Sequence, residues 1–246
     1  MELPIIYEDA SIVAVHKPAG IMTHGDGRNT EETVSDWFVQ KYPDSKDVGE
    51  VQRLPDGTEL ARPGIVHRLD RETSGVLVLT KTKEAHDFFK EAFKERKVKK
   101  TYLAFVYGVP KERKGTIDFS IGRSRKDFRL RSAQPKAKGT LRDALTKYEV
   151  ISDIGTHALL KAMPETGRTH QIRVHLKAIH HPVVGDPLYA PNRETDIGFS
   201  RLGLHAFMLE IPQENGEILR LQAPLPADLS LAAERFPGAV ANIASL

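Results

Sequence analysis

Three short stretches carry side chains whose types and spacing could do chemistry: HRLDRETSG at 67–75, KTY at 100–102 and GRTHQIRVHL at 167–176. In the first, a single carboxylate, Asp70, stands between Arg68 and Arg71, just before a Thr-Ser-Gly turn. A guanidinium beside a carboxylate favours its charged form, and a planar two-point contact also fixes its direction. An ionised carboxylate held in this way can act as a nucleophile or stabilise a developing positive charge, as carboxylates do in glycoside hydrolysis. Taken alone, each stretch has a plainer reading. Asp70 with its arginines is then a surface ion pair worth about 0–1 kcal/mol. Tyr102 is a half-buried strand aromatic, and Arg173 a helix-surface cation.

Other chemistries fit less well. There are no cysteines, which removes disulfides, thiolate nucleophiles and thiolate metal sites. The ten histidines show no metal spacing: His170 and His175 do not form H-E-x-x-H, and the adjacent His180 and His181 point apart on most backbones. We therefore expect no metal and no cofactor. GVLVLTKT at 75–82 lacks the second glycine of a phosphate loop and reads as a strand. A small hydrolase built on His67 and Asp70 would need a G-x-S-x-G elbow or a second carboxylate, and neither is evident. A noncatalytic RNA-binding module would use the basic surfaces and leave Asp70 without a role. His67, His170 and His175 read as orienting donors or core-edge rings.

Length and composition bound the setting. The 246 residues are 40% hydrophobic and 28% charged, without repeats or low-complexity tracts, which fits one large globular domain. The apolar runs are strand-length and far short of a membrane span. The opening MELPIIYEDA has acids where a signal peptide needs a basic region. These features lead us to expect a cytoplasmic, monomeric protein with no membrane contact. The net charge is only +3, yet ERKVKK at 95–100 holds four cations. Residues 122–142 gather Arg123, Arg125, Lys126, Arg129, Arg131, Lys136, Lys138 and Arg142 against Asp127, with Asp143 adjoining. Such runs are commonly solvated faces; two of them flanking one candidate site suit an anionic partner.

Periodicity places these stretches on elements. Ile12 to Val15 reads as an apolar strand closed by Lys17-Pro18-Ala19-Gly20. Val34, Trp37 and Phe38 suit a helix, with Thr30 as its cap. Residues 43–64 read as an exposed loop or a short hairpin around PDG at 55–57. A strand through Ile65 and Val66 is expected to enter HRLDRETSG, and Gly75 to Lys81 to leave it as a second buried strand. Ala85, Phe88, Phe89, Ala92 and Phe93 form one helical stripe, which is core. Strands are expected at 99–109, 145–151, 157–162, 203–211 and 217–222, and a helix over 167–182. Strands outnumber helices and do not alternate regularly with them, which gives an α+β class.

In this order and at these separations, the three stretches resemble the RluA-type pseudouridine synthases. So do IVAVHKPAGIMTH near the start, GDPLYA at 185–190 and LGLHAFMLEI near the end, so the likeness runs from about Ile5 to Pro226. The resemblance implies one catalytic domain over 1–246, with a core at about 5–226 and no separate S4-like RNA-binding domain. Its fold would be α+β, with a central, mostly antiparallel mixed β-sheet flanked by helices and loops. It implies that Asp70 is the catalytic aspartate, Tyr102 the active-site tyrosine and Arg173 the partner of the aspartate, and that Arg68 contacts RNA where the target nucleotide is turned out. The substrate would be structured RNA, ribosomal rather than transfer RNA. Lys97, Lys99, Lys100, Arg123, Arg125, Arg129 and Arg168 would hold phosphates, contacts that position RNA without reading its sequence.

The chemistry agrees with those roles. Converting uridine to pseudouridine breaks the N1–C1′ bond and makes a C5–C1′ bond, so one carboxylate suffices and water must be kept out. The base lies within folded RNA and must be flipped out at a cost of a few kcal/mol.

Overall fold

The computed structural model describes residues 1–246 except 26, 28, 29, 54–56, 125, 126, 128, 129, 134–136 and 214. In chain order the first half holds β1 (Ile5–Glu8), β2 (Ile12–Lys17), α1 (Val34–Lys41), β3 (Gly49–Arg53), β4 (Glu59–Pro63), β5 (Ser74–Thr80), α2 (Lys83–Lys94) and β6 (Lys99–Tyr107). Then come β7 (Lys114–Asp118), β8 (Ile121–Arg123), β9 (Arg131–Ser132), β10 (Lys138–Arg142), β11 (Leu145–Asp153) and β12 (His157–Pro164). The remainder is α3 (Gln171–Ala178), β13 (Leu204–Pro212), β14 (Ile218–Gln222), α4 (Ala227–Glu234) and α5 (Ala239–Ala244). The class is α+β, with mostly antiparallel strand pairing, as the pattern of strands and helices predicts. The chain divides into two compact units: Met1–Lys99 with Ala206–Pro224, and Lys100–His205 with Leu225–Leu246.

In the first unit the strand order is β1-β2-β5-β13, with β14 on β13. β2 pairs antiparallel with both β1 and β5, and β13 with β14. Every residue of β5 is buried, which is why it reads as an unbroken apolar run rather than an alternation. α2 buries Ala85, His86, Phe89 and Ala92, and the Thr82 hydroxyl caps it by accepting from Ala85 N–H at 3.2 Å. This stripe joins Ile12, Ala14, Val76, Val78, Leu209 and Leu221 in one core cluster. Gly75, where HRLDRETSG becomes β5, has φ of +125°, and a Cβ there would stand 2.1 Å from the Ala206 carbonyl oxygen. No other residue satisfies both conditions.

Two local expectations change. The cap of α1 is Thr33, not Thr30: Asp36 N–H donates to the Thr33 hydroxyl and the Asp36 carboxylate accepts from Thr33 N–H, a complete capping box. No strand runs through Ile65 and Val66. β4 ends at Pro63, and Ile65 forms only an isolated bridge with Leu79. Gly64, at φ of +70°, turns the chain away, and the space beside it is filled by the Phe38 ring. The hairpin expected near residues 55–57 exists as β3 paired with β4, although Pro55 and Asp56 of its turn lie outside the described residues.

The second unit holds an antiparallel sheet in the order β6-β12-β11-β7 and a small sheet in the order β10-β8-β9. The basic stretch at 122–142, which periodicity left unassigned, supplies β9, β10 and the end of β8. α3 lays Ile172 and Leu176 onto a cluster with Ala104, Leu160, Ala162 and Leu204. Among the described residues no helix is long and apolar enough to cross a membrane.

Candidate active site

Asp70 is half-buried, on the irregular segment between β4 and β5 in the first unit. The backbone is fastened on both sides of it. The Thr23 hydroxyl donates to the Leu69 carbonyl at 2.9 Å and accepts from Leu69 N–H at 3.2 Å. On the other side, the Arg71 carbonyl accepts from Gly20 N–H at 2.9 Å and from Lys17 Nζ at 3.0 Å. Lys17 is fully buried, and its ammonium also donates to the Pro18 and Ile21 carbonyls, each at 2.8 Å. Three carbonyl acceptors match the three N–H donors of an ammonium, so the charge is buried without an orphaned proton. Arg71 Nε returns a bond to the Gly20 carbonyl at 3.0 Å, and Thr73 N–H closes a turn onto the Asp70 carbonyl at 3.1 Å. The carboxylate thus stands on a backbone locked by residues 17–23, as a group that must meet one particular atom requires.

Arg68 is exposed, and its Nη1 donates to His24 Nε2 at 3.1 Å. An arginine can only donate, so Nε2 is the acceptor and the ring proton sits on Nδ1, which donates to the Gly25 carbonyl at 2.8 Å. His24 is buried and holds the guanidinium in one direction. His67 is structural, as expected: its Nε2 accepts from Val78 N–H at 2.9 Å, and its ring stacks on Phe93 at 4.7 Å between centroids. With Nε2 committed, this histidine has no lone pair to serve as the base of a hydrolase.

Tyr102 and Arg173 lie in the second unit. Tyr102 pairs with Ala162 across β6 and β12 and is half-buried against the core. Arg173 is 3% exposed rather than a surface cation. Its Nε and Nη2 donate to Oδ2 and Oδ1 of Asp186 at 2.7 and 2.8 Å, a two-point contact. Oδ1 of Asp186 also accepts from Leu188 and Tyr189 N–H, at 2.9 and 3.0 Å. The guanidinium lies 5.2 Å from the centroid of the Tyr189 ring, a cation–π distance.

The rest of TGRTHQIR holds α3 in place. Gln171 Nε2 donates to the Leu145 carbonyl and the Thr146 hydroxyl, both at 3.0 Å, while its Oε1 accepts from the Thr166 hydroxyl at 2.6 Å. His175 Nε2 meets the Phe119 carbonyl at 2.9 Å and must donate there, so Nδ1 accepts from the Thr146 hydroxyl, also at 2.9 Å. Burial pulls the pKa of this ring below the ordinary histidine value, outweighing the carbonyl and Asp118, which favour the charged form. His170 has φ of +56° at the start of α3, and its Nδ1 lies 3.0 Å from the Tyr189 hydroxyl. The Tyr189 hydroxyl also accepts from Arg131 N–H at 2.9 Å.

The expected RNA-binding cations are placed as follows. Arg123 and Arg168 line one cleft of about 480 Å³, together with Arg131 and Arg142. Arg168 Nε is oriented by the Asp143 carbonyl at 3.0 Å. Lys99 is exposed, Lys100 donates to the Thr166 carbonyl at 3.3 Å, and Lys97 is exposed and paired with Glu95 at 2.5 Å. Arg125 and Arg129 lie outside the described residues. Among the described residues, no three histidine, aspartate or glutamate side chains come together to hold a metal ion. Lys17, Thr23, His24 and Asp186 were not singled out from sequence. All four lie within or beside the stretches HKPAGIMTH and GDPLYA that carry the family likeness, and that was the available signal.

Within the first unit, a carboxylate on a locked backbone with the exposed Arg68 and Arg71 on either side of it in sequence suits a polyanionic ligand. The family model for RNA pseudouridylate synthase matches residues 11–178, more than half of the sequence, and the chain belongs to that family. An uncharacterized RNA pseudouridine synthase of Synechocystis sp. is 38% identical over 226 residues, covering 92% of this chain and 66% of the relative. Ribosomal large subunit pseudouridine synthase D of Neisseria meningitidis serogroup B is 36% identical over 241 residues, covering 93% and 60%. The chain therefore spans less than two thirds of the length of both relatives. The solved structure of human RNA pseudouridylate synthase domain containing 4 superimposes with a TM-score of 0.72 at 26% identity, covering 94% of this chain and 92% of that one.

Proposed function

We propose that this chain isomerises uridine to pseudouridine in structured RNA. Asp70 attacks or stabilises C1′ of a flipped nucleotide, Arg173 is its charge partner, and Tyr102 lies against the base. The observation that carries the reading is the fastening of the backbone on both sides of Asp70, by Thr23 and by Lys17 with Gly20, next to an arginine aimed by His24. Arg68 enters the space that the target base leaves. Lys97, Lys99, Lys100, Arg123 and Arg168 hold phosphates, with Arg125 and Arg129 assigned the same role from sequence. The preferred substrate is ribosomal rather than transfer RNA, a preference supported by the name of the Neisseria relative, and the enzyme acts as a monomer.

The test is tritium release from RNA labelled at uridine C5. Wild type should release tritium, whereas Asp70→Asn should release none while keeping its affinity for RNA, because the phosphate contacts are elsewhere. Equal release from both proteins would remove Asp70 from the mechanism.

A further inference from the structure

The hairpin of β3 and β4 takes no part in the site described above, yet it forms one wall of a second cleft. Side chains alternate along a strand, so Glu50 and Gln52 of β3 share a face with Leu60 and Arg62 of β4. Gln52, Leu60 and Arg62 meet Met22, Thr23, His24, Arg68, Leu69 and Arg71 around a cleft of about 300 Å³. Three of the nine lining residues are arginines and none is acidic.

The three guanidinium groups differ in how their charge is met. Arg71 pairs with Glu31 at 2.8 Å, and Arg68 with the neutral acceptor His24. Arg62 is half-buried; its Nη2 donates to Gln52 Oε1, and its Nε is enclosed with no hydrogen-bond partner among the described residues. Glu50 stands opposite Arg62 in register, but its carboxylate is taken by Lys90. Burial first, and the nearby Arg68 charge second, pull the pKa of Arg62 below the usual arginine value, against the Glu50 carboxylate, which raises it. An enclosed N–H donor without an acceptor is uncommon in a folded protein and calls for a partner.

We infer that this cleft is a phosphodiester site, in which Arg62 Nε holds a backbone phosphate of the RNA strand next to the target nucleotide, beside the Arg68 that enters the vacated base space. The walls suit that ligand: Met22, Leu60 and Leu69 offer apolar surface to a ribose, while the guanidinium groups meet the charge. The position follows from the chain, because Arg68 is two residues from Asp70. The inference rests on the reading that the chain acts on RNA and adds the contact that fixes the flanking strand.

The experiment measures binding of in vitro transcribed large-subunit ribosomal RNA across a salt series, for wild type, Arg62→Gln, Arg62→Lys and Arg220→Gln. Arg62→Gln should weaken binding by about five- to tenfold and lower the slope of log K against log salt by about one. Arg62→Lys should keep the slope and lose part of the affinity. Arg220→Gln, an exposed arginine on β14, should match wild type. An unchanged slope for Arg62→Gln, or an equal loss in Arg220→Gln, would overturn the site. Nitrogen-15 spectra provide a second readout that does not depend on substituting Arg62. The Arg62 Nε–H resonance should shift with RNA, and a shift with inorganic phosphate but not with RNA would overturn the RNA assignment. Wild-type tritium release run alongside separates the two claims: no release with an intact Arg62 effect would sink the isomerase reading alone, and release without that effect would sink the phosphate site alone.

Discussion

Asp186 grips Arg173 by one edge, with contacts of 2.7 and 2.8 Å between side chains that are 0% and 4% exposed. The same carboxylate caps the turn that carries Tyr189. Removing one member of a buried pair leaves an uncompensated charge, which costs far more than the pair contributes to stability. Asp186→Ala should lower the unfolding free energy by about 3–5 kcal/mol in urea titration. Asp186→Asn keeps an acceptor for the turn amides and should cost less. No loss in Asp186→Ala would mean that the pair is not buried in solution.

Lys17 joins three carbonyls around the Asp70 loop. Lys17→Met preserves the chain volume and leaves those acceptors short of a donor, so stability should fall by about 2–4 kcal/mol. The Asp70 segment should also exchange amide hydrogens faster than the sheet does. Uniform exchange across the first unit would show that Lys17 supports the fold at large and not this loop.

The bond from Arg68 to His24 can be tested separately from stability. His24→Phe retains a buried ring but removes both the acceptor for Arg68 and the donor to the Gly25 carbonyl; at about 0.5–1.5 kcal/mol for each net hydrogen bond, stability should fall by about 1–3 kcal/mol and the fold should remain. Tritium release at saturating RNA should drop more than RNA affinity does, since an undirected Arg68 still offers its charge. A loss confined to affinity would contradict the positioning role.

Stability should depend on pH through three buried histidines. Burial lowers the pKa of His86, His157 and His175 below their ordinary 6.5. Around and below that value the unfolded chain binds protons that the folded chain refuses. The stability these rings confer is therefore complete above about pH 6.5 and lost as pH falls through that value toward their depressed folded pKa. The limiting slope is about 1.4 kcal/mol per pH unit for each ring. Chemical denaturation between pH 5 and 8 should show the decline on the acid side, and a flat profile there would refute it.

Local pattern was enough to read the class and most elements. The unbroken apolar run of β5, the stripe of α2 and the alternation of β11 each lie within one segment, where burial and periodicity are written in the order of residue types. Asp70, Tyr102 and Arg173 could be named because each sits in a short contiguous motif. Boundaries failed where a neighbour distant in sequence decides: Gly64 turns the chain against Phe38. The pairing of β9 and β10 with β8 also escaped notice, because short charged strands carry no hydrophobic period.

Only tertiary structure decided which groups hold the chemistry in place. Lys17 reaches a carbonyl 54 residues away, Arg68 a ring 44 residues away, and Arg173 a carboxylate 13 residues further on. A sequence alone determines which side chains can donate, accept or carry charge. Which of them meet is set by how strands and helices pack, because a hydrogen bond depends on distances of a few ångströms that no linear spacing encodes.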